Sequence, residues 1–338
     1  MPKKSYIAAI VLIGLPAVVA AVWSAKVGPP FVKPRQTIVI ADAPRAAFAL
    51  LYIAQAKNYF REEGIEVTFE TAKGAPEALN DALEGKVDLA NVFETTVILK
   101  HLDGEAISVI TALSSSQKNT GLVALKDRGI LNPKDLKGRT IGISKNRNGD
   151  FLLFLLLTSA GIKSSAVTLI DMPEKSMAAA LKEGRVDAVV TWNPYLNEAR
   201  IAVGEDRSVL MHSDLYLQVA LLAGQPKVIA QKKEAMKALL RGVMRAEGFL
   251  TGHRDEAVDI VAEHLPNYPK EAVRTFWDDF IMEAKLDNVT LNLLDQKAKW
   301  LSSTRTYKRP NLDVSQLIFS AYLREVHPEA VTIQGQPR

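Results

Sequence analysis

The chain opens with an uncharged apolar run from Tyr6 to Trp23 behind two lysines, Lys3 and Lys4, and continues through Ser24 and Ala25 into a Pro-rich polar stretch, Val27 to Gln36. At 1.5 Å per residue, the 18 residues of the run barely cross a hydrocarbon core of roughly 30 Å. The first 25 residues therefore read as a signal peptide or a membrane anchor, and residues 26–36 as a linker. Gly14 and Pro16 loosen a helix, and Ala20, Ala21, Ser24 and Ala25 offer cleavage positions. Either way the lysines stay on the cytoplasmic side, so the chain after Lys26 is expected in the periplasm or on the extracytoplasmic face of the inner membrane.

Short β-branched runs then alternate with helical stretches. Thr37 to Ile40, Glu66 to Glu70 and Val87 to Val92 read as strands, separated by helices from about Ala47 to Glu63 and from Pro76 to Gly85. Thr140 to Ile143, Val167 to Ile170 and Val186 to Thr191 read as a second set, separated by helices over Asp150 to Ala160 and Glu174 to Glu183. The two sets share landmarks. Ala82-Leu83-Glu84-Gly85-Lys86-Val87-Asp88 answers Ala180-Leu181-Lys182-Glu183-Gly184-Arg185-Val186-Asp187, with the two aspartates 99 positions apart. Thr37-Ile38-Val39-Ile40 answers Thr140-Ile141-Gly142-Ile143, and Gly64-Ile65 answers Gly161-Ile162. Landmarks recurring in one order at nearly one offset predict two lobes of one topology, each an α/β, Rossmann-like unit with a parallel sheet. Ligands bind such sheets beyond the carboxyl ends of the strands, so the expected site is a cleft between the lobes. From about Lys227 onward the pattern is helical, with Ala235, Leu239, Leu240 and Val243 on one face.

Composition narrows the chemistry. A chain of 338 residues, 48% hydrophobic and 24% charged, can bury a large core. It contains no cysteine, which excludes disulfides, thiolate catalysis, cysteine-ligated zinc and a lipidated N-terminal cysteine. The net charge of +4 falls to +2 without Lys3 and Lys4, and no basic stripe of the kind that binds nucleic acid is present. His101, His212, His253, His264 and His327 are not spaced as metal ligands, and no nucleophile or phosphate-loop motif occurs, so neither metal nor cofactor is expected.

Ala54-Gln55-Ala56-Lys57-Asn58-Tyr59-Phe60-Arg61-Glu62-Glu63-Gly64-Ile65-Glu66-Val67, Leu136-Lys137-Gly138-Arg139-Thr140-Ile141-Gly142-Ile143, Gly184-Arg185-Val186-Asp187-Ala188 and Thr191-Trp192-Asn193-Pro194-Tyr195 resemble, in order and spacing, patterns of the nitrate, sulfonate and taurine group of ABC-transporter substrate-binding proteins. The resemblance implies a type II periplasmic binding protein fold with crossovers near Lys118 to Leu122 and Ser213 to Gln218. One lobe would comprise residues 37–118 and 219–338, and the other 119–218. It also implies an extracytoplasmic protein that captures a small organic anion or zwitterion, such as a sulfonate, taurine or a nitrate-like ion, and passes it to an importer permease. Thiamine-pyrimidine synthases share the family fold but use a cysteine-rich motif absent here. The alternatives are such a pyrimidine-related enzyme and a ligand-sensing module.

Residues just past strand ends are the candidate ligand contacts. In the first lobe these are Asp42, Arg45, Asn91, Glu94, Thr95, Ser114 and Ser115; in the second, Ser144, Asn146, Arg147, Asn148, Trp192, Asn193 and Tyr195. Ser144 to Gly149 precedes a helix, so its N–H groups, the helix dipole and Arg147 suit an anion; the alternative is a solvated cap. Trp192 is either a pocket wall or core packing. Arg45 reads as a ligand contact or as a simple partner of Asp42.

Overall fold

The computed structural model describes residues 36–265, 268–304, 307–308 and 313–333. The expected leader, anchor helix and linker lie outside the described residues, apart from Gln36. Ten strands form two five-stranded sheets: β1 (Gln36–Asp42), β2 (Ile65–Thr71), β3 (Leu89–Phe93), β4 (Ser108–Ser116), β5 (Thr120–Leu125), β6 (Thr140–Ile143), β7 (Thr168–Asp171), β8 (Ala188–Trp192), β9 (Ser208–Met211) and β10 (Gln218–Gly224). The first sheet has the order β2-β1-β3-β10-β4 and the second β7-β6-β8-β5-β9. In each sheet the first three strands run parallel, and the fourth is antiparallel to its neighbours. The fourth strand is exchanged in sequence: β5 completes the second sheet and β10 the first.

The repeated landmarks have one physical cause. The Asp88 N–H donates to the Val39 carbonyl at 2.9 Å, and the Asp88 carboxylate accepts the Val39 N–H at 2.9 Å. The Asp187 N–H donates to the Thr140 carbonyl at 2.8 Å, and its carboxylate accepts the Thr140 N–H at 2.9 Å. Each aspartate thus satisfies both polar groups of one residue on the neighbouring strand, which locks the first and third strands together. Gly85 and Gly184 precede these aspartates at φ +75° and +69°, the left-handed region that lets the preceding helix end and the chain turn into the strand.

The principal helices are α1 (Ala49–Ala56), α2 (Ala75–Leu83), α3 (Glu94–Leu102), α4 (Asn148–Ser159), α5 (Tyr195–Val203), α6 (Lys233–Leu250), α7 (Arg254–His264) and α8 (Asn288–Thr304). The single helix expected from Ala47 to Glu63 is broken. A 3₁₀ turn at Ala46–Phe48 leads into α1, Asn58 takes the left-handed conformation at φ 60°, and a separate short helix runs Tyr59–Glu62. Asparagine visits that region at little cost, and the apolar pattern continues through it, so periodicity alone cannot reveal the break. Helix α8 packs on α3 of the first lobe. Its Trp300 ring also lies 5.1 Å from Phe151 and 5.8 Å from Phe154 on α4 of the second lobe. Among the described residues, no helix is long and apolar enough to cross a membrane.

Candidate functional site

The carboxyl ends of the parallel strands of both sheets converge on a cavity of about 130 Å³. The β1–α1 connection contributes Arg45 and Phe48, the loop after β2 contributes Lys73 and Gly74, the end of β3 contributes Phe93, and the first turn of α3 contributes Thr96. From the second lobe come Arg147 and Asn148 after β6, Glu174 after β7 and Trp192 at the end of β8. The charges are uneven: three cations, Arg45, Lys73 and Arg147, face one carboxylate, Glu174. Among the described residues none of these four forms an ion pair. The Arg45 guanidinium donates to the Pro44 carbonyl at 2.6 Å and leaves Asp42 to other partners. Arg147 caps α4, so a group beside it also meets the unpaired N–H groups of that helix. Gly149 in the first turn lets α4 approach β8: a Cβ there would sit 3.1 Å from Val190 Cγ1.

Four of the residues expected at strand ends lie beneath the cavity, in a buried polar layer. Asp42 is 1% exposed and accepts from Tyr52 at 2.8 Å, from the Asn91 amide, and pairs with His264 Nε2 at 2.9 Å. The Asn91 side-chain oxygen accepts the Ala43 N–H at 3.0 Å, which shapes the loop carrying Arg45. Glu94 and Lys297 are fully buried and paired with each other. Glu94 also accepts the Val219 N–H at 3.0 Å and the Asn148 amide at 3.3 Å, and Thr95 accepts from Lys297 at 3.0 Å. Lys297 Nζ stands 5.2 Å from the ring centres of both Phe151 and Tyr216. Burial pushes this ammonium below its ordinary range, with Glu94 pulling it back. The Tyr216 hydroxyl is pushed well up by burial and by the nearby Glu94 charge.

The remaining candidates are dispersed. Ser114 donates to the Ala47 carbonyl at 2.7 Å, and Ser115 makes backbone bonds to Ile281. Ser144 is half-buried, and Asn146 is exposed at φ 59°. Asn193 is nearly buried and donates to Asp279 at 3.4 Å. Tyr195 stands edge-on to Trp192, ring centres 6.5 Å apart. Thus Arg45, Arg147, Asn148 and Trp192 meet at the cavity, whereas Asp42, Asn91, Glu94 and Thr95 support it from below. Sequence reasoning missed Lys73, Glu174 and Gln218 on the wall, and Lys297 beneath it. Lys73 and Glu174 follow the second strand of each lobe, a position that the strand-end rule would have covered.

The sequence profile described as NMT1/THI5 like matches residues 45–257. The chain belongs to this family. A binding protein of Brucella abortus (strain 2308) is 24% identical over 217 residues, covering 63% of this chain and 66% of the relative. The chain therefore spans just under two thirds of that relative's length. The periplasmic aliphatic sulphonate-binding protein SsuA of Escherichia coli superposes with a TM-score of 0.74 at 16% identity, covering 84% of this chain and 97% of SsuA. The fold is thus that of the periplasmic binding proteins. It is not confined to binders: the desulfurization enzyme DSZB superposes with a TM-score of 0.66 at 14% identity, covering 87% of this chain and 99% of the enzyme. The family profile ends at residue 257, before α8, so Lys297 and Trp300 lie beyond it.

Proposed function

We propose that this member of the NMT1/THI5-like family is an extracytoplasmic solute-binding protein that captures a small organic anion and delivers it to an ABC importer. The observation that carries this reading is the excess of unpaired positive charge in the interlobe cavity, where Arg45, Lys73 and Arg147 face only Glu174. Cations held out of ion pairs in a partly enclosed site retain their charge for a ligand, and a helix N-terminus adds N–H donors. Phe48, Phe93 and Trp192 supply apolar walls, so the ligand has an organic body as well as a charged head. A sulfonate combines the two, which agrees with the aliphatic sulphonate named for the structural neighbour SsuA. Taurine adds an ammonium that Glu174 would receive. The reading is binding and release without chemistry.

Titration calorimetry with alkyl and aryl sulfonates, taurine and an uncharged sulfone tests it. Binding of the anions, failure of the sulfone, and a tenfold or greater loss in Arg147→Gln are expected, since a charge-assisted contact contributes about 1.5–3 kcal/mol. Equal affinity for sulfone and sulfonate would overturn it.

A further inference from the structure

A second cavity of about 210 Å³ lies between the lobes and shares no wall residue with the first. A third, small cavity of about 10 Å³ shares Trp192 with the first and Phe276 with the second. Lys118, on the strand-to-strand link leaving the first sheet, and His212, on the link returning to it, flank this second cavity. Arg200 on α5 faces it from the second lobe, and Thr275 and Asp279 face it from the first. We propose that it is a separate binding site for a small oxyanion, that is, a carboxylate, phosphate or sulfate group.

Three features carry the inference. The Arg200 Nε is buried yet has no hydrogen-bond partner among the described residues, while the other end of the guanidinium approaches Glu205 at 3.4 Å. A buried charged donor left without an acceptor is costly, and an oxyanion in the cavity supplies one. Next, the His212 Nδ1 lies 2.9 Å from the Thr120 carbonyl. A carbonyl only accepts, so Nδ1 carries the hydrogen, and this bond fixes the ring on the cavity wall. Finally, Lys118 forms no ion pair among the described residues. Asp279 is the one carboxylate on the wall. Burial pushes its carboxyl above the ordinary range, against the pull of Lys118 and His212, and the Asn193 amide donates to it at 3.4 Å. The basic side chains come from the second lobe and the two links, and Thr275 and Asp279 come from the first lobe, so this cavity too is built from both lobes but uses other residues.

The test uses the whole protein with inorganic sulfate and phosphate as probes, in an Arg45→Gln/Arg147→Gln background that silences the first cavity. Chloride at equal ionic strength serves as the reference, because nonspecific screening depends on ionic strength alone. Saturable binding by calorimetry and a saturable rise in Tm are expected. Arg200→Gln, and separately Lys118→Gln at an exposed position, should each raise the apparent Kd by about tenfold or more. Asp279→Asn should retain binding, because it removes the one negative charge on the wall and the amide can donate to an oxyanion. A response indistinguishable from chloride, or binding unaffected by Arg200→Gln and Lys118→Gln, overturns the proposal. Abolition by Asp279→Asn would also overturn it, by making the occupant a cation held by that carboxylate. Sulfonate binding in the otherwise native protein is read separately, so failure here leaves the reading of the first cavity intact.

Discussion

Replacing Lys297 by methionine probes the charge buried beneath the cleft. Methionine keeps an unbranched stem against Phe151 and Tyr216 but removes the cation. Glu94 then remains fully buried with only neutral donors, the Val219 N–H at 3.0 Å and the Asn148 amide at 3.3 Å. Removing one partner of a buried ion pair typically costs about 3–5 kcal/mol. Lys297→Met should therefore lose about 3–5 kcal/mol. Glu94→Gln/Lys297→Met removes both charges and retains an acceptor for Val219, so it should return to within about 1–2 kcal/mol of the parent. Urea unfolding of the parent, both single variants and the double variant, with m compared across the set, measures these differences. A loss below about 1 kcal/mol in Lys297→Met, or a double variant whose loss is the sum of the singles, would refute the reasoning.

Trp192→Ala should weaken binding of an aryl sulfonate while sparing most of the stability, because the half-buried ring forms part of the cavity wall; a loss of about 3–5 kcal/mol in urea unfolding, the cost of emptying a packed core, would contradict this. Gly242 lies within α6, where alanine would ordinarily gain about 1 kcal/mol. A Cβ there would stand 2.5 Å from the buried Phe60 ring, so overpacking of about 1–3 kcal/mol should win, and a rise in urea midpoint for Gly242→Ala would count against it. The Glu247 carboxyl is pushed above 4.5 chiefly by burial, although it accepts the Ala284 N–H at 2.8 Å. The folded state then holds that proton longer than the unfolded state, so this group's contribution falls as pH rises from the unfolded value through the raised folded one. Glu247→Gln should remove that fall, and unfolding midpoints from pH 4 to 8 that keep the parent's slope would exclude the assignment.

The two-lobed α/β fold was legible because the same local demands occur twice. Strand-forming runs at Thr37 and Thr140 and the Gly-x-Val-Asp strings at Gly85 and Gly184 each require one local geometry, and the structure supplies it in both sheets. The break at Asn58 was hidden because a single left-handed residue leaves the apolar spacing unchanged. At the site, the strand-end rule locates a neighbourhood but not a direction. Arg45 and Trp192 extend into the cavity, whereas Asp42 and Glu94 turn down into the polar layer, where His264 and Lys297 wait more than two hundred positions along the chain. Nothing local to Asp42 or Glu94 encodes those partners, since tertiary packing of the C-terminal helices decides them.

The exchange of the fourth strand has a consequence for the order of assembly. All five strands of the second sheet lie within residues 120–211, so that sheet can be completed from one continuous stretch of chain. The first cannot: β4 reaches β3 only through β10, and until residues 218–224 have emerged its middle is an open gap between two exposed strand edges. A chain emerging from its N-terminus must hold the β3 and β4 edges apart while an entire lobe forms between them. Such edges readily recruit foreign strands, which makes the interval before β10 arrives the period of greatest exposure to mispairing.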